Sequence, residues 1–108
     1  MADFQVLWTD AAKRDLAGIV EFIAETSGSA RAFAVLDRVE RRCQTLATLP
    51  SRGRTVPELS LVDVHAYREL IEGPWRIIYR YEIHRVYVTA VLDARRDLAS
   101  LLIERLVR

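Results

Sequence analysis

Residues 67–82 read YRELIEGPWRIIYRYE, and this stretch decides the fold. Trp75, Ile77, Tyr79 and Tyr81 alternate with polar residues, the period of a half-buried strand. Gly73-Pro74 punctuates the run and makes it a hairpin, with one strand over 63–72 and a second over 75–82. Alternation predicts that the apolar set faces a core and that Arg76 and Arg80 face the other side of the sheet. Arg68 lies upstream of the turn. These arginines pose a choice between a phosphate grip and the wet face of a sheet.

Working outward, Ile83-His84-Arg85 forms a short connection, and 86–93, VYVTAVLD, gives a third strand rich in β-branched residues. Short connections imply antiparallel neighbours. Asp97 is placed to cap a last helix, LASLLIERLVR. Leu98, Leu101, Leu102, Ile103, Leu106 and Val107 spread over more than half its circumference, so it needs cover on more than one face. A partner, either a second copy or another protein, would supply what the sheet does not.

Upstream of the hairpin the period is helical. Residues 3–8, DFQVLW, read as a first strand, and Thr9 caps the helix that follows, with Asp10 in its first turn. Ala12, Leu16, Ile19, Val20 and Ile23 form one apolar stripe. Phe22 falls off it and is left for a neighbouring element or a partner. Gly28 stops this helix and Ser29 caps the next, which runs over about 30–48. Its stripe is Ala32, Phe33, Leu36, Val39, Cys43, Leu46 and Ala47. So short a joint makes the two helices an antiparallel hairpin. Arg38, Arg41 and Arg42 lie off the stripe among Asp37 and Glu40, a solvated face. Pro50, Gly53 and Pro57 mark 49–59 as a loop.

The 108 residues are 51% hydrophobic and 29% charged, which excludes a disordered chain and fits one soluble α+β domain spanning 1–108. The net charge of +1 does not announce a nucleic-acid binder. Lys13 is the only lysine, so the basic residues are otherwise planar guanidinium forks. The lone Cys43 cannot make an internal disulfide and fits a reducing compartment. With no apolar run long enough for a membrane and no leader pattern in MADFQVLWTD, a cytoplasmic protein is expected.

Four stretches punctuate this order: AKRDLAGIVEFIA, LATLPSRGRTVPEL, YRELIEGPWRIIYRYE and VTAVLDARRDL. In that order and spacing the chain resembles the ParE/RelE superfamily of bacterial toxins, and within it the ParE-like, plasmid-stabilisation branch. The resemblance implies an N-terminal strand, an antiparallel helix hairpin packed on a small, mainly antiparallel sheet, and a short C-terminal helix. It also implies a type II toxin acting on DNA gyrase and neutralised by a ParD-like antitoxin with a DNA-binding half and a flexible tail. The alternatives are a ribosome-dependent messenger endoribonuclease of RelE type, or a non-toxic binding module on the same fold. A homo-oligomer or a toxin–antitoxin hetero-oligomer would follow, with no cofactor and no direct sequence-specific DNA binding.

Cutting RNA through its own 2′-hydroxyl needs a base, an acid and a cationic cradle. Arg68, Arg76, Arg95 and Arg96 lie where the superfamily keeps arginines, and Glu69 is the candidate base. The region after Val91 holds no His and no Tyr, and Asp93 beside arginines stays ionised. His65, at a strand start, and His84, in a turn, lack metal-ligand spacing. A catalytic set is therefore not expected. Target or antitoxin contacts are expected at Phe22, Arg38, Arg41, Arg42, Arg68, Arg76, Arg95, Arg96, Leu102 and Leu106.

Overall fold

The hairpin predicted around Gly73-Pro74 forms the centre of the molecule. In the computed structural model, which describes residues 3–107, strand β3 (Arg68–Glu72) pairs antiparallel with β4 (Trp75–Glu82). Gly73 takes φ 58° in the turn, a conformation that a side chain resists. β4 pairs antiparallel with β5 (Arg85–Asp93). The first strand, β1 (Gln5–Trp8), lies parallel to β5 along Arg85–Val88. A two-residue strand, β2 (Arg54–Thr55), closes the far edge, so the order is β1-β5-β4-β3-β2.

Helices α1 (Asp10–Ser27) and α2 (Ser29–Gln44) pack as the expected hairpin on one face of this sheet. Thr9 caps α1 through a bond from the Ala12 N–H at 3.1 Å. Gly28, at φ 92°, ends α1 and begins α2. Ser29 is therefore the first helical residue and makes no cap bond, contrary to its expected role. A 3₁₀ turn over Thr45–Ala47 finishes α2. The core stripe of α2 is Ala32, Val35, Val39 and Cys43; Phe33, expected in it, is 66% exposed. A helical step carries position 33 off the line of 32, 35 and 39. Burial pushes the Cys43 thiol up to about 12, with Glu40 adding to the effect, so it stays an inert thiol.

Two core layers result, one on each side of the sheet. Ile77, Tyr79, Val86, Val88 and Val91 meet the helix hairpin, as alternation required. Ile78, Ala90 and Leu92 meet a second cluster with Leu59, Leu98 and Leu102. The β4–β5 register steps from Ile78↔Ala90 to Tyr79↔Val88, leaving Thr89 as an extra residue. Its hydroxyl donates to the Ile78 carbonyl at 3.1 Å. This bulge puts Val88 and Val91 on the same face, which strict alternation would forbid. Tyr81, expected inward, is 37% exposed at the strand end and meets Phe4 edge-on.

The segment expected to be a plain loop is partly regular. Besides β2 it contains a short helix, α3 (Pro57–Ser60), opened by Pro57 at a first-turn position where no N–H is missed. Residues 63–67, expected in a strand, lie outside β3, and Asp63 takes φ 62° there. The buried Tyr79 hydroxyl pins this region. It donates to the Pro50 carbonyl at 2.6 Å and accepts from the Gly53 N–H at 2.9 Å. A Cβ on Gly53 would lie 2.6 Å from the Glu69 carbonyl oxygen, so only glycine fits.

The last helix, α4 (Ala99–Leu106), packs on the sheet face opposite the helix hairpin, beside α3. Asp97 accepts from the Ala99 N–H at 3.3 Å, near its expected role. Leu98 and Leu102 are fully buried. The cover predicted to come from a partner comes largely from α3 and the chain's own sheet. Arg105 of α4 then grips Asp15 of α1 through two bonds of 2.6 and 3.1 Å. Asp15 also accepts from the Val91 N–H at 3.0 Å, so one carboxylate joins α1, β5 and α4.

Candidate functional site

The residues expected to form a phosphate grip are not together. In the β3–β4 register Arg68 faces Tyr79 and Arg76 faces Ile71. Arg68 thus shares the hairpin-side face with Leu70 and Tyr79, whereas Arg76 lies on the opposite face. Their expected placement on one face is therefore corrected: Arg76 pairs with Ile71, which lies an odd number of positions from Arg68 along β3. Arg68 donates to the Gly53 carbonyl at 2.8 Å and serves the loop.

Arg76, expected on the outward sheet face as a contact residue, is 7% exposed. Its Nη1 and Nη2 donate to both oxygens of Glu58 on α3 at 2.6 and 2.7 Å, and its Nε donates to Glu69 at 2.6 Å. Glu69, the candidate base, is 1% exposed and also accepts from Arg54 at 2.7 Å. Two carboxylates and two guanidinium groups form a chain, Arg54–Glu69–Arg76–Glu58, with α3 as the lid over its Glu58 end. Bonds from Arg76 hold Glu58 below the usual carboxylate range. The bonds from Glu58 and Glu69 push the Arg76 guanidinium up. A guanidinium so engaged has no fork free for a phosphate.

The histidines are remote from this network. His65 lies in the exposed segment after α3 and pairs with Asp63 at 2.9 Å, and His84 sits in the β4–β5 turn at φ 68°. The Tyr79 phenol is pushed up by burial and both its bonds are taken. No group of three or more metal-ligating side chains occurs among the described residues.

Two other groups of expected contact residues remain at the surface. On α2, Arg38 bonds Glu72 at 2.7 Å, Arg42 approaches it at 3.7 Å and Arg41 pairs with Asp37 at 3.0 Å. This face is mixed in charge and largely self-neutralised. Arg80, expected to be solvated, lies over the Tyr87 ring at 4.4 Å.

The second group lines a slot of about 410 Å³ between α1 and the end of the sheet. Phe22, Arg95 and Arg96 meet there, with Arg14, Gly18, Ile19, Trp75 and Asp93. Phe22 is 64% exposed and lies at the slot. Arg95 closes on Asp93 through three bonds of 2.7 to 3.0 Å, and these hold the Asp93 carboxyl at about 2. Its folded value is below the unfolded one, so the pair stabilises above about pH 4 and is lost as pH falls through about 2. A carboxyl NMR titration should give that midpoint for Asp93, and Arg95→Ala should return it toward the ordinary value near 4. An unchanged midpoint in the variant would remove Arg95 as the cause. Leu102 and Leu106, also expected at a contact surface, belong to the α4 cluster: Leu102 is fully buried and Leu106 half-buried.

Sequence reading missed Arg14, Gly18, Glu58, Asp15 and Arg105. The first two carried a signal, since positions 14, 18 and 22 recur every fourth residue and share one helix face. The others meet residues 18 to 90 positions away and carried none.

Relatives share this architecture. A chain of the chromosomal ParDE toxin–antitoxin system from P. aeruginosa superposes with TM-score 0.71 at 18% identity, over 85% of this chain and 97% of that one. A chain of the RelBE2 toxin–antitoxin complex from Mycobacterium tuberculosis superposes with TM-score 0.56 at 23% identity, over 86% and 93%. Toxin ParE3 of Caulobacter vibrioides is 29% identical over 96 residues, 89% of this chain and 92% of its own length. The family described as ParE toxin of type II toxin-antitoxin system, parDE, matches residues 6–98. With its N-terminal strand, helix hairpin and hairpin-rich sheet, the chain belongs to the ParE toxin family of type II toxin–antitoxin systems.

Proposed function

We propose that this single-domain toxin works in the cytoplasm, poisons DNA gyrase rather than cutting messenger RNA, and is silenced by a ParD-like antitoxin. The observation that carries the reading is the engagement of Arg76 by Glu58 and Glu69. The sheet face that would hold a ribonuclease cradle is filled by an ion network, α3 and α4. Glu58 and Asp93 are held ionised by Arg76 and Arg95, so neither is an acid near neutral pH. Membership of the ParE family supports a co-encoded antitoxin, and so does likeness of fold to chains of two toxin–antitoxin systems. That antitoxin would carry the DNA-binding half. Among the described residues no helix is long and apolar enough to cross a membrane.

Expression of the chain without its antitoxin should give filamentous cells, with purified protein inhibiting gyrase supercoiling and messenger RNA left intact. Messenger fragments cut in translated frames, with supercoiling unaffected, would reverse the assignment in favour of the RelE-type reading. Normal growth together with normal supercoiling would leave a binding module.

A further inference from the structure

The sheet ends on one side at β1, and that edge is only partly closed. The N–H groups of Gln5 and Thr9 bond the carbonyls of His84 and Val88 at 2.8 and 3.0 Å. Those of Val6 and Trp8, one residue out of phase, therefore point away from β5. Upstream, the Phe4 N–H is taken by the Ala47 carbonyl at 2.8 Å, so the end of the second helix closes the edge there. The open part is the backbone of Val6 and Trp8, with the half-buried Leu7 between them. Beside it lies an apolar groove of about 530 Å³, lined by Leu16, Ala17 and Val20 of α1 and Leu36 of α2. The charged residues in its lining are Lys13 on α1 and Glu40 on α2, both exposed. Neither makes an ion pair or a side-chain hydrogen bond among the described residues.

We propose that this edge and groove are the contact face of a symmetric dimer formed by two copies of the chain. A two-fold axis at Leu7 sets the two β1 strands antiparallel, with Val6 of each copy opposite Trp8 of the other. In that register Val6 and Trp8 exchange both backbone bonds, twice over by symmetry, and Leu7 meets its own copy. Charge selects the occupant. The groove carries one cation and one anion on its two walls, so a partner of a single sign gains nothing from it. A copy turned by the two-fold matches both walls at once, Lys13 of each chain facing Glu40 of the other while the apolar lining between them is covered. The far edge of the sheet offers no equivalent, since β2 is two residues long and its Arg54 is held by Glu69.

The test uses the full chain alone, so it fails or succeeds separately from the proposal on function. Analytical ultracentrifugation over a roughly hundredfold rise in concentration should show the mass moving from one chain toward two. Amide hydrogen exchange of Val6 and Trp8 should slow over the same range, while that of Arg54 and Thr55 stays constant. Lys13→Glu and Glu40→Lys, both at exposed positions, set like charges against each other across the axis. Each should weaken association by roughly tenfold or more. Both substitutions in one chain should restore it, and so should mixing the two single variants, since each carries the charge the other lacks. A mass of one chain throughout, slowing centred on β2, association undiminished in the single variants, or no recovery in the double variant would each overturn the inference.

Discussion

Arg76→Ala should lose about 3–5 kcal/mol of folding stability, read by urea denaturation of the isolated chain. The substitution leaves Glu69, at 1% exposure, with Arg54 as its one remaining cation, and releases Glu58 and the α3 lid. An uncompensated buried carboxylate is what makes the loss large, more than the pair's own attraction. The paired replacement Glu69→Met with Arg76→Met should recover much of the loss, because it removes both charges from a site that is already dry. A solvated arginine on a sheet face would behave otherwise, with a change under about 0.5 kcal/mol. So small a value for Arg76→Ala would mean that the network does not hold the face closed.

Leu102→Ala should cost about 2–5 kcal/mol, the range for emptying a fully buried leucine site. Leu102 is wholly buried against Ile78, Ala90, Leu92 and Leu98, with Val56 and Leu59 from the α3 side. Calorimetry of the isolated chain would show a lowered Tm. Were Leu102 an anchor for a partner, the isolated chain would keep its Tm and only partner affinity would fall. The contrast separates a helix that completes the fold from one that waits for company.

Leu102 also shows where sequence reading stops. The wheel of the last helix correctly demanded cover on several faces. It could not identify the cover, because α3 is four residues long and sits in a segment punctuated by Pro50, Gly53 and Pro57. Strands β1, β3, β4 and β5, the helix hairpin and their order were legible, since each rests on a local period or cap, whereas β2 was not. Register was legible only in part. Whether Arg68 and Arg76 share a face depends on pairing across Gly73-Pro74, and one residue of register inverts the answer. Of the candidate contacts, Phe22, Arg95 and Arg96 do converge in the slot, whereas Arg76 and Leu102 are structural. The physical difference is burial. A buried arginine and an exposed one are the same letter, and what separates them here is Glu58, 18 positions away.

The parallel pairing of β1 with β5 sets a schedule for the chain as it is made. α1 and α2 can form from local contacts, and β3, β4 and β5 can zip through short turns. β1 has no sheet partner until Arg85–Val88 has been synthesised, and Asp15 waits for Arg105, 90 positions downstream. A product ending before β5 would leave Val6, Trp8 and Leu16 without the strand they pack on. The last quarter of the chain therefore acts as a completeness check: a product interrupted before β5 lacks both the strand that β1 pairs with and the cation that Asp15 grips.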